Sequence, residues 1–216
     1  MATRDDIFKA IDIADADKLR EILASEPSLA SARSEDGLSA VLFTLYLQKH
    51  DLTDILLEHE PQLDLFDLAA LGMNDLLAVI LTDQRVDVNM YAGDGFSALH
   101  LACFFGQVET VELLIEKGAD VNMMAPNDSR LCPLHSAVAG GQQAIAKLLL
   151  AAGADPNTIQ AGGYTALMSA AHQGYKDLVS LLLEKGADPS LVAEDGRRAL
   201  DFASGQPEIE ALLTRH

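Results

Sequence analysis

Residues 94–122 read DGFSALHLACFFGQVETVELLIEKGADVN, which is a turn, two short helical patterns and a closing turn in about thirty residues. Leu99 and His100 stand in the first pattern, and Val111, Leu114 and Ile115 recur at helical spacing in the second. Gly106 separates the two patterns and Gly118 follows the second, where a left-handed cap is expected. Neither helix is long enough to be stable alone in water, so each must be held by neighbours.

Those neighbours are further copies of the same unit. Downstream, CPLHSAVAGGQQAIAKLLLAAGADPN and YTALMSAAHQGYKDLVSLLLEKGADPS repeat the apolar and glycine pattern. Gly141 and Gly174 match Gly106, while Gly153 and Gly186 match Gly118. Upstream, Ile55, Leu56 and Leu57 stand where Leu113, Leu114 and Ile115 stand, and LDLFDLAALGMNDLLAVILTDQRVDVN forms another copy. That copy begins directly after Pro61, so the projecting turn between it and its predecessor is expected to be missing.

A period of this length signals a stacked array without a closed core. In the first copy Lys18, Arg20 and Glu21 interrupt Leu19, Ile22 and Leu23, as suits a terminal unit whose outer face meets water. The last copy, RRALDFASGQPEIEALLTRH, is truncated and ends polar, as a cap does. The expected units are 4–35 as the N-terminal cap, then 36–61, 62–92, 93–124, 125–159, 160–192, and 193–216 as the C-terminal cap.

Composition bounds the partners. Hydrophobic residues make up 49% and charged residues 22%, values that favour folding over disorder. A formal charge of −18 repels phosphate backbones and anionic membranes, which argues against nucleic acid and membrane partners. Acidity is concentrated in residues 1–94, with 19 acidic and 7 basic side chains. The opening MATRDDIFKAID shows no basic segment followed by an apolar run, and two cysteines are too few for a disulfide framework. A cytoplasmic, monomeric protein is the expectation.

The tetrapeptides Ser97-Ala98-Leu99-His100, Cys132-Pro133-Leu134-His135 and Thr165-Ala166-Leu167-Met168 resemble the ankyrin signature Thr-Pro-Leu-His, and Gly-Ala-Asp recurs three times. Through DGFSALHLACFFG and CPLHSAVAG the chain is also similar to small bacterial proteins made of ankyrin repeats alone. The resemblance implies an all-α ankyrin-repeat solenoid of about six to seven helix-turn-helix repeats, curved around a concave groove. Departures are visible: alanine replaces the signature proline at Ala98, Ala166 and Ala199, Met168 and Asp201 replace histidine, and Arg130 replaces a turn glycine.

Catalytic chemistry finds little footing. The chain has no phosphate-binding glycine loop, no His-Glu-x-x-His helix and no nucleophile elbow. His100 and Cys103 with Cys132 and His135 form mirrored i, i+3 pairs that zinc accepts as ligands. The resemblance instead gives both histidines a turn-bonding role in separate layers, so no metal or cofactor is expected. Asp94, Asp128, Asp155 and Asp188 fall in turns, where carboxylates bond local backbone.

The resemblance places a partner surface on the concave face, built from turn tips and the exposed side of each first helix. Phe96, Leu131, Tyr164 and Arg197 precede successive signature tetrapeptides, as Leu38 does in an earlier unit. Before the separating glycine stand Phe104 and Phe105, then Ala139 and Gly140, then His172 and Gln173, with Tyr46 and Leu47 as earlier counterparts. The candidate partner-binding set is therefore Phe96, Phe104, Phe105, Leu131, Ala139, Tyr164, His172 and Gln173. Bulky rings beside Ala139 and Gly140 predict a wall and a hollow that bind a protein or peptide. The alternative is a small-ligand protein or enzyme using that hollow with His135, His172 and Asn127.

Overall fold

The computed structural model describes residues 2–215. Seven antiparallel helix pairs follow one another. The first helices are α1 (Arg4–Asp12), α3 (Ala40–Tyr46), α5 (Leu65–Leu71), α7 (Ala98–Phe105), α9 (Pro133–Ala139), α11 (Ala166–His172) and α13 (Ala199–Phe202). The second helices are α2 (Ala16–Ser25), α4 (His50–Leu57), α6 (Asn74–Ile80), α8 (Val108–Glu116), α10 (Gln143–Ala151), α12 (Lys176–Glu184) and α14 (Pro207–Arg215). First helices pack on first helices from α1 to α13, forming the inner layer of a solenoid.

The sequence dictates each start and stop. Ser39, Ser97 and Thr165 cap α3, α7 and α11, their side-chain oxygens accepting the backbone N–H three residues on. Gly72 and Gly106 end α5 and α7 in the left-handed conformation. Inward residues such as Leu99, Leu134, Leu149 and Leu182 are fully buried and form one continuous core along the stack.

Between layers the backbone is stapled by side-chain amides. Asn89 donates to the Gly118 carbonyl and accepts from the Asp120 N–H, and Asn122 does the same with Gly153 and Asp155. Asn157 continues the ladder to Gly186 and Asp188, and Ser190 ends it in the next unit. On the opposite side Gln107, Gln173 and Gln206 donate to the carbonyls of Ala70, Val138 and Ala171.

The turns before α3, α7 and α11 close with isolated bridges, Arg33 to Ser39, Tyr91 to Ser97 and Ile159 to Thr165. Between α4 and α5 only residues 58–64 connect the helices, and no such bridge is present there. The groove therefore lacks one projecting finger. Among the described residues no helix is long and apolar enough to cross a membrane.

Candidate functional site

The groove carries an apolar hollow of about 90 Å³ between the ends of α7 and α9 and the turns before them. Phe96, Phe104, Leu131 and Ala139 line it, together with Tyr46, His100, Leu101 and Ser136. The rings are half-buried: Tyr46 lies 5.4 Å from Phe105 and 6.4 Å from Phe104, and the two phenylalanines meet edge to face at 5.1 Å. Phe96 and Phe105 pack against the core, and Phe105 does not line the hollow. It supports Phe104 from behind.

The hollow carries no formal charge near neutral pH. Burial pulls the His100 imidazole down to about 4. Its Nε2 donates to the Leu131 carbonyl at 2.9 Å, and its Nδ1 accepts from the Ser97 N–H and hydroxyl. Burial and the Asp94 carboxylate hold the Tyr46 phenol protonated, and it donates to Asp94 at 2.8 Å. Asp94 also accepts from the Phe96 N–H, which positions that ring at the rim.

Gly140 does not leave a void. A Cβ there would sit 2.2 Å from the Phe104 carbonyl oxygen, so glycine lets the backbones of α7 and α9 approach. The empty space lies beside Ala139 instead, which corrects the expectation of a hollow at both residues.

Tyr164 and His172 belong to a separate patch further along the groove. There the Phe202 ring meets Tyr164 at 5.7 Å and His172 at 6.2 Å, and the Arg197 guanidinium stacks on it at 4.2 Å. Arg197 is paired to Asp195, which also accepts from the Tyr164 hydroxyl. Gln173 borders this patch, but its amide is spent on the Val138 carbonyl. The eight predicted residues thus divide between two places. Phe202 was not legible as a groove residue because its unit is truncated and lacks the Gly-Ala-Asp marker that sets the register elsewhere.

The residues of the alternative reading are not brought together. His135 is buried in the stack, where its Nδ1 accepts from the Cys132 N–H. Asn127 bonds the Asp94 carbonyl and the Ser129 backbone as a turn residue, while His172 is exposed near Phe202. Cys103 is fully buried, and the Cys132 thiol points to the Asn122 carbonyl. Among the described residues no three His, Cys, Asp or Glu side chains converge on a metal-sized site. Asp94, Asp155 and Asp188 each accept a backbone N–H two residues on, as turn carboxylates do.

Comparison with known proteins agrees with this architecture. A profile of three ankyrin repeats matches residues 65–160, and a single ankyrin repeat matches residues 162–194, together more than half of the chain. The chain belongs to the ankyrin repeat family. It is 30% identical over 167 residues to a probable 26S proteasome regulatory subunit, p28, of Saccharomyces cerevisiae, covering 71% of this chain and 72% of that protein. It is 37% identical over 103 residues to human BCL-6 corepressor-like protein 1, and 42% identical over 76 residues to an Arabidopsis thaliana ADP-ribosylation factor GTPase-activating protein, AGD2. Those alignments cover 48% and 35% of this chain but only 6% and 10% of the relatives, so they concern the repeats alone. Ankyrin repeats are generally non-catalytic scaffolds for protein interaction, and by its repeats this chain is a protein-interaction module.

Proposed function

We propose that the concave groove docks a protein or peptide by taking one apolar side chain into the hollow between Tyr46, Phe96, Phe104 and Leu131, without catalysis. The observation carrying this reading is an uncharged hollow rimmed by half-exposed rings. At about 90 Å³ it exceeds the ~10–15 Å³ of such volume that one water needs and falls short of the ~150 Å³ cavity that holds benzene. That size suits a leucine or methionine side chain better than a cofactor. Burying such an anchor contributes on the order of 1.5 to 3 kcal/mol, in the range of an interface hot spot.

The test replaces Phe96 and Phe104 with serine and compares affinity capture with the unaltered protein. A partner held by the original and lost by a variant that still folds supports the reading. Undiminished capture by the folded variant removes it.

A further inference from the structure

The outer layer is open at one joint. In the second helices, the residue three after the N-cap and the residue six after it share one face, the one turned toward the preceding repeat where there is one. Thr110 shows the direction, since its hydroxyl donates to Asn74 on α6 at 2.7 Å. At the first of these positions Leu52, Thr110, Ile145 and Leu178 are all buried. α2 has no preceding repeat, and there both positions are charged and exposed: Lys18 and Glu21 pair with each other at 2.9 Å.

α6 breaks the pattern. Its residues at these positions are apolar, as an inter-repeat contact requires, yet Leu76 is 55% and Val79 66% exposed. The packing explains why: α2 packs on α4, α6 on α8, and so on to α14, but α4 and α6 lack a comparable contact. The face that α6 turns to this joint is therefore apolar and uncovered. Around it stand exposed Asp54 on α4, exposed Glu58 at the C-terminal end of α4 and exposed Asp75 on α6, in the more acidic half of the chain.

We infer that the open α4–α6 joint docks an amphipathic helix with an apolar stripe and lysine or arginine flanks, laid on the face of α6 that a neighbouring outer helix covers in the other repeats. The apolar stripe covers Leu76 and Val79, and the basic flanks meet Asp54, Glu58 and Asp75. Opposite charges at the margin steer the approach and set orientation, while the apolar contact supplies most of the affinity. This surface is on the outer layer and is independent of the concave hollow.

The test uses the full chain, a helical leucine–lysine peptide, a leucine–glutamate peptide of the same length, and the double variant Leu76→Lys with Val79→Glu. That variant copies the polar pair of α2. The expected results are binding of the lysine peptide alone, weakening with salt, and at least about tenfold loss in the double variant. The double variant should melt within about 2 °C of the parent, because both positions face water. Phe96→Ser with Phe104→Ser should bind the peptide unchanged, which separates this inference from the groove reading. A drop of many degrees in the double variant would show the joint closed in solution and overturn the inference. So would equal binding of both peptides, no binding, or a concentration-dependent dimer that the double variant abolishes, the last making a second copy the occupant.

Discussion

Arg130 has a φ of +52° where Gly37, Gly95 and Gly196 hold the equivalent turns at +84°. A side chain in that region costs about 1 kcal/mol relative to glycine. Arg130→Gly should therefore raise the melting temperature by about 2 to 4 °C in a calorimetric scan. No change would mean that the turn tolerates Arg130 without strain.

Three buried titratable groups set the pH response. His100 and His135 are both lowered to about 4, mainly by burial, and the Nε2 of His135 has no hydrogen-bond partner among the described residues. Asp67 on α5 is raised to about 6, by burial first and the Asp64 carboxylate second. The Ser39 hydroxyl, the Asp64 N–H and Arg33 pull it back. Stability from the neutral histidines is present above 6.5 and is lost as pH falls toward 4. Stability from protonated Asp67 has the opposite sign, being present below 3.8 and lost as pH rises through about 6. Two histidines, each on the order of 3 kcal/mol, outweigh one aspartate of similar size. The melting temperature should fall between pH 7 and pH 4.5, and Asp67→Asn should make the fall steeper. A shallower fall in that variant would contradict the sign assigned to Asp67.

At the scale of single elements, the asparagine ladder and the close approach of α7 to α9 carry the contacts between repeats. Asn122→Ala removes two hydrogen bonds between repeats and should cost about 1 to 2 kcal/mol in a denaturant titration. Gly140→Ala should cost about 1 to 3 kcal/mol, because the new methyl meets backbone that cannot turn aside. A neutral Gly140→Ala would imply that α9 shifts freely against α7.

The helices were legible because apolar spacing and cap glycines act locally, within one unit. Gly140 looked like an empty position because a sequence shows a missing side chain but not the Phe104 carbonyl that fills its place. Gln173 was placed on the groove, and it borders the groove, but its bond to Val138 spans two units and leaves no trace in local spacing.

Over the whole molecule, the period gave the order of the stack and a set of candidate residues for the groove. It did not show which of them share a hollow. Tyr46, three units before Leu131, closes the hollow because the curve of the stack and the missing finger bring its ring to Phe104 and Phe105. Tyr164 and His172 are drawn away by Phe202 in the next unit. The exposure of Leu76 and Val79 leaves no trace in the sequence either, since periodicity reports which face a residue is on but not whether its neighbour arrives.

The concave hollow is tested most directly by filling it. Ala139 is exposed at its edge, so Ala139→Leu adds an apolar side chain there without entering the core. With a partner in hand, isothermal titration should show affinity falling at least about tenfold while the melting temperature holds or rises. Unchanged affinity in the folded Ala139→Leu protein would contradict the assignment of the hollow as the anchor site.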